Sequence, residues 1–179
     1  MNFILLGPPG SGKSTQAKML ADFLGVPCLT VGTLLSYISK ADTKEAKEIK
    51  EAMEKGTLVE DKLTLKILNE QLKSDSYEDG VVIDGFPRSV EQAQEFDFEL
   101  EKVLYINVSD EKSKKRLFKR GRKDDTEEVI KERLDVYHEE TKSVLDFYKE
   151  KGILVEIDGE REIGKIHKDI LEKLNLTGC

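Results

Sequence analysis

The run Gly7-Pro8-Pro9-Gly10-Ser11-Gly12-Lys13-Ser14 follows directly on the apolar stretch Phe3-Ile4-Leu5-Leu6, and Ala17, Leu20, Ala21 and Leu24 recur behind it at helical spacing. A strand, a glycine-rich turn of the form G-x-x-x-x-G-K-[ST] and a helix in that order constrain the fold more than any other feature of this chain. Glycines let successive backbone N–H groups converge on one anion, and the helix that follows adds the positive end of its dipole. Lys13 can reach the β- and γ-phosphates of a nucleotide, and Ser14 can ligate Mg²⁺. Glycine is about 7% of residues on average, so a Gly-rich turn matching this pattern arises by chance in well under ~1% of chains this long. The stretch is a phosphate-binding loop, with Gly10, Ser11, Gly12, Lys13, Ser14 and Thr15 as candidate contacts to a triphosphate.

Other short apolar runs alternate with longer helical stretches. Phe3–Leu6, Val81–Asp84, Val103–Val108 and Ile153–Ile157 read as buried strands, with Val26–Leu29 as a weaker fifth. Ile130, Leu134, Tyr137, Thr141, Leu145 and Tyr148 mark one face of a long helix. Asp125-Thr126-Glu127-Glu128 opens it, with a carboxylate expected at the cap. A second helix opens at Asp42-Thr43-Lys44-Glu45, runs through Ile49 and Met53, and stops at Gly56. Strands separated by helices imply a parallel sheet with helices on both faces. Ligands of such sheets sit at the carboxyl ends of the strands.

The chain has 179 residues, suited to a single domain spanning 1–179 with no linker or repeat. Its 36 acidic residues outnumber 29 Lys and Arg, for a net charge of −7, which argues against non-specific nucleic-acid binding. No apolar run approaches the ~18 residues of a membrane span. The first apolar run is also shorter than the ~7–15 residues of a signal-peptide core. Cys28 and Cys179 make neither a disulfide framework nor a zinc site. Cys28 reads as a small core residue and Cys179 as a frayed end. His138 and His167 read as ordinary helix residues without ligand-spaced partners. The expectation is a soluble cytoplasmic protein.

Asp84 closes the strand Val81-Val82-Ile83, where a carboxylate can hold a Mg²⁺-bound water or cap the next turn. The loop alone is common to GTPases, transport ATPases and small-molecule kinases, and the chain lacks an N-K-x-D or T-K-x-D guanine-reading sequence. More informative is Asp84-Gly85-Phe86-Pro87-Arg88 with Gln92 four residues on. With Gly56-Thr57-Leu58-Val59, Arg122-Lys123-Asp124-Asp125, Arg133 and Asp158-Gly159, these motifs resemble the nucleoside monophosphate kinases, and the adenylate kinases most closely. The resemblance runs from Gly7 to about Arg161.

The resemblance implies a helix–sheet–helix α/β fold of the P-loop NTPase type, with five parallel strands, catalysing MgATP + AMP ⇌ 2 ADP. It makes residues 30–60 a monophosphate-binding insert and residues 119–125 a vestigial lid. Arg88 would grip the acceptor phosphate. Gln92 would read the adenine edge, and Gly32, Leu58, Val59 and Gly85 would line that base. Arg122 and Arg133 would contact the transferring group, organised by Asp124 and Asp125. Arg116 would lie against the donor adenine and Arg120 near the donor phosphates, with Gly159 a further contact to ATP. Ser14 and Asp84 would hold Mg²⁺, largely through water, and no zinc is expected. The partners are ATP, AMP and ADP, with the protein a monomer by default and self-association left open. In-line phosphoryl transfer needs alignment and positive charge rather than covalent help, and the planar fork of arginine suits it. Residues 112–123 supply eight Lys or Arg and no acid, although the lysines equally read as a solvated helix face.

Two departures from the family pattern stand out. A single Gly121 separates Arg120 from Arg122, where relatives carry a loop or a larger subdomain, so incomplete closure and some ATP hydrolysis are expected. Ser36 stands where the family has an arginine on the acceptor phosphate, with Lys40 a turn further on, and Val31 replaces a hydroxyl residue. The alternatives are a UMP/CMP or broad-specificity monophosphate kinase and, from another class, a non-catalytic adenine-nucleotide sensor.

Overall fold

The computed structural model describes residues 1–121 and 125–177. Five parallel strands, β1 (Asn2–Leu6), β2 (Cys28–Thr30), β3 (Val81–Asp84), β4 (Lys102–Asn107) and β5 (Leu154–Asp158), form one sheet in the order β2-β3-β1-β4-β5. Register fixes the functional ends together: Leu5 pairs with Asp84 across β1 and β3, and Thr30 with Asp84 across β2 and β3. All five predicted strands are present, within a residue or two of their expected ends. The weakest, β2, lies at the edge and is displaced toward Thr30.

Because side chains alternate along a strand, β1 feeds two cores. Phe3 and Leu5 pack with Ala17, Leu20 and Ala21 of α1 (Lys13–Leu24) and with Ile166 and Ile170 of α9 (Ile163–Lys173). Ile4 and Leu6 face the opposite layer. That layer takes Leu35 from α2 (Val31–Ile38), Ile49 from α3 (Lys44–Lys55), Leu65 and Leu68 from α4 (Asp61–Leu72), Ala93 from α5 (Val90–Glu95) and Tyr148 from α8 (Lys142–Glu150). Both faces of β1, β3 and β4 are therefore covered, as continuous apolar runs in a parallel sheet require. Among the described residues, no helix is long and apolar enough to cross a membrane.

α3 begins and ends as its sequence predicts: the Thr43 hydroxyl accepts from the Ala46 N–H, and Gly56 closes the helix. The predicted long helix from Ile130 to Tyr148 is different. It is split into α7 (Glu127–Val136) and α8 by a π turn over Tyr137–Thr141, in which the Lys142 N–H reaches back five residues to the Tyr137 carbonyl. Its cap also differs from expectation. Thr126, not Asp125, caps α7 by accepting from the Val129 N–H, which leaves the Asp125 carboxylate for arginines. Cys28 is partly buried beside the α1 face, with its thiol pushed up by burial. His138 lies in the π turn with Nε2 2.9 Å from Asp110 of α6 (Asp110–Arg120). His167 packs edge-on to Phe23.

Candidate active site

The loop between β1 and α1 is built around close backbone approaches. At Gly10 the backbone has φ +79°, and an added Cβ would lie 2.6 Å from the Ser113 carbonyl of α6. Only glycine fits that combination. Ser11 is buried, its carbonyl accepts from Arg116, and its N–H donates to the Pro8 carbonyl. Ser14 and Thr15, in the first turn of α1, are exposed. The Lys13 ammonium donates to the Pro8 carbonyl at 3.3 Å. Burial pushes the Lys13 amine down to about 8, with Asp84 opposing and Arg88 and Arg120 reinforcing the shift. Asp84, Arg88 and Arg120, three further expected site residues, are thus within electrostatic reach of Lys13.

Asp84 is 2% exposed, and its Oδ1 has no hydrogen-bond partner within the protein. A buried, unpartnered carboxylate oxygen at the end of β3 is not a turn cap. Oxygen ligands and bound water are what Mg²⁺ takes, so Asp84 with the exposed Ser14 hydroxyl is a donor set that fits it. Among the described residues, no group of three His, Cys, Asp or Glu side chains is assembled as a metal cage.

On the other side of Asp84 the chain turns at Gly85, whose φ of +81° bends β3 into the segment Phe86-Pro87-Arg88. Arg88 Nε donates to the Gly85 carbonyl at 3.0 Å, and the guanidinium packs beside the Cα of Gly32 and of Gly85. Solvent reaches Arg88 through the open cleft. Its backbone is held from two directions: the N–H donates to Gln92 Oε1 at 2.8 Å, and the carbonyl accepts from Thr141 Oγ1 of the π turn at 2.9 Å. Gly32, Leu58, Val59, Gly85, Arg88 and Gln92, all expected on the acceptor side, line one pocket together with Val31, Leu35, Met53 and Phe86. Ser36 is not part of that wall, and Lys40 is exposed just beyond α2.

α6 flanks the phosphate loop. Ser109 caps this helix, acidic residues fill its first turn and basic ones its last, a charge order that suits the helix dipole. Arg116 Nη1 donates to the Ser11 carbonyl and Nη2 to the Gly159 carbonyl, at 3.0 and 2.9 Å, so it ties the phosphate loop to the turn after β5. Arg120 holds Asp125 through two bonds of 2.6 and 2.9 Å, and Arg133 Nη1 adds a third at 3.3 Å. The Asp125 side chain is only 1% exposed. A buried carboxylate thus gathers Arg133, expected beside it, and Arg120, which the resemblance had placed near the donor phosphates instead. Arg122 and Asp124, expected beside them, lie outside the described residues, as does Cys179.

Sequence reasoning missed three participants. Asp61 is bonded to both Gln92 and Ser89, and Thr141 to Arg88. None of them carries a motif. Thr141 was read only as one position on the face of a long helix, and the sequence reading singled out neither Asp61 nor Ser89.

The adenylate kinase family model matches residues 5–153. An adenylate kinase of Prochlorococcus marinus is 43% identical over 181 residues, covering 97% of each chain. One from Caldicellulosiruptor bescii is 35% identical, covering 98% of this chain and all of its own. That alignment extends over 214 residues although this chain has 179, so the relative carries segments without counterparts here. A Methanosarcina acetivorans adenylate kinase is 36% identical over 207 residues, with 95% and 96% of the two chains covered. With its phosphate loop, its buried Asp84 and its arginine-gathering Asp125 in family order, this chain belongs to the adenylate kinase family.

Proposed function

We propose that this chain transfers a phosphoryl group between ATP and AMP, MgATP + AMP ⇌ 2 ADP, with ATP on the Gly7–Ser14 loop and AMP in the pocket around Gly85 and Gln92. The observation that carries the reading is that the buried Asp84 carboxylate lies within electrostatic reach of both Lys13 of the phosphate loop and Arg88 of the acceptor pocket. A simple nucleotide sensor needs only one anion site, whereas two facing ones suit in-line transfer.

In this reading the N–H groups from Gly10 to Thr15 cradle the donor phosphates, and Lys13 neutralises charge on the outer ones. Arg88 grips the acceptor phosphate and aims its oxygen at the donor. Arg133, Arg120 and Arg122 supply the positive field around the transferring group, with Asp125 and Asp124 fixing their forks. Arg116 flanks the donor base near Gly159. Mg²⁺, held through water by Ser14 and Asp84, would offset charge on the donor phosphates. Gly32, Leu58, Val59 and Gly85 sandwich the acceptor base while Gln92 reads its edge.

Within a single domain, residues 30–60 form the acceptor arm and residues 119–125 the remnant of a lid. The default reading is a monomer, with self-association left open. Loss of the family's acceptor arginine at Ser36 removes one charge-assisted contact, about 1.5–3 kcal/mol for a hydrogen bond to an ion. Acceptor binding therefore leans on Arg88.

The test is one coupled assay with MgATP and a panel of AMP, UMP, CMP and GMP. AMP should be preferred by at least about tenfold in kcat/KM, the scale set by one to two discriminating hydrogen bonds. Equal turnover of UMP or CMP would replace this reading with a broad-specificity kinase.

A further inference from the structure

The side-chain amide of Gln92 is 2% exposed and makes two hydrogen bonds inside the protein. Its Oε1 accepts from the Arg88 N–H at 2.8 Å, and its Nε2 donates to Asp61 Oδ1 at 2.8 Å. A glutamine amide is nearly symmetric in shape, so either face can be presented unless its neighbours choose. Here both neighbours choose the same one. Turned over, the amide would set N–H against the N–H of Arg88 and oxygen against a carboxylate. Asp61 is itself fixed: its other oxygen accepts from Ser89 Oγ at 2.7 Å, and that hydroxyl accepts from the Gln92 N–H at 3.1 Å to cap α5. The ring of bonds binds the first turn of α4 to the first turn of α5.

We infer that Asp61 is a specificity-determining positioning residue, which locks the Gln92 amide so that its one remaining N–H and one remaining oxygen lone pair are offered to the acceptor base in a single order. Adenine presents an amino donor beside a ring-nitrogen acceptor, and this order matches it. A 6-oxopurine presents acceptor and donor in the reverse order. A locked amide rejects it, whereas an amide free to turn over accepts both. The inference rests on the proposal that Gln92 reads the acceptor base.

The experiment measures kcat/KM for AMP and for IMP, and KM for ATP, in the wild type, Asp61→Ala, Asp61→Asn, Gln92→Ala and the Asp61→Ala/Gln92→Ala double variant. Asp61→Ala should raise KM for AMP with little change in kcat or in KM for ATP, and should cut the preference for AMP over IMP about tenfold, the scale of one hydrogen bond to a charged partner. Asparagine offers either a donor or an acceptor to Gln92, so Asp61→Asn should lie between wild type and Asp61→Ala, and it keeps the shape of the α4 terminus should alanine fail to fold. The double variant should discriminate no worse than Gln92→Ala alone. Unchanged preference in the folded Asp61 variants, with Gln92→Ala defective, overturns the role of Asp61. Unchanged preference in Gln92→Ala overturns the base-reading role itself.

Discussion

Lys13 has to be a cation to hold phosphate, yet its own site lowers its pKa. Burial acts first, Arg88 and Arg120 add to it, and Asp84 only partly offsets them, leaving the amine at about 8 in the nucleotide-free protein. Bound phosphates reverse the balance, because a nearby anion favours the charged amine. The sign follows: the protonated form binds, so affinity for ATP should be constant well below pH 8 and fall as pH rises through it. At pH 8, ATP binding should be accompanied by net proton uptake, measured by calorimetry in buffers of different ionisation enthalpy. Buffer-independent heats at that pH would mean that Lys13 was fully charged before ATP arrived. The turn of this loop was legible from sequence because its causes are local: eight consecutive positions from the end of β1 into α1 carry it. Gln92 was legible only through the family resemblance. Its lock was not, since Asp61 lies 31 positions away and a carboxylate at a helix start reads equally well as a dipole partner.

At the scale of elements, the π turn between α7 and α8 is the least expected feature. It places Thr141 so that Oγ1 holds the Arg88 carbonyl, and Tyr137 so that its hydroxyl donates to Tyr105 of β4. One interrupted helix thereby carries Arg133 at one end of the site and a clamp on Arg88 at the other. Wide turns of this kind recur at functional sites. Thr141→Val keeps the shape and removes the bond. It should lower stability by about 1 kcal/mol and raise KM for AMP several-fold while leaving KM for ATP within twofold. Equal effects on both substrates, or on neither, would separate the π turn from the acceptor site. The turn was hidden in the sequence because a step of four from Tyr137 to Thr141 fits an α-helix as well. The cap of α7 was misread for a related reason. Asp125 and Thr126 are both good capping residues, and only the positions of Arg120 and Arg133 in space decide that Asp125 serves them instead. The strands, by contrast, were readable from their short β-branched runs, and α3 from Thr43 and Gly56 at its ends.

At the scale of the molecule, the chain reaches the family's fold with fewer residues than relatives such as that of Caldicellulosiruptor bescii, whose alignment with it spans 214 residues. α6 ends at Arg120 and Gly121, and α7 begins at Glu127, which leaves little chain to fold over the phosphates. Excluding water is one function of a lid. ATP hydrolysis without AMP, followed by phosphate release, should therefore be faster in this protein than in the Caldicellulosiruptor relative under the same conditions. An equal or lower rate would show that the site is shielded by other means. Because Lys13, Arg88, Arg120 and Arg133 lie in linked pairs within electrostatic reach of one another, the same site should bind polyphosphate chains that span it. The most direct test of the central claim is titration of the protein with two adenosines joined through five phosphates. One molecule should bind per chain, at least about a hundredfold more tightly than ATP, as expected when two sites are filled by one linked ligand, and Arg88→Ala should erase most of that advantage. Binding no tighter than ATP, or an advantage untouched by Arg88→Ala, would contradict the claim that donor and acceptor are held face to face across Asp84.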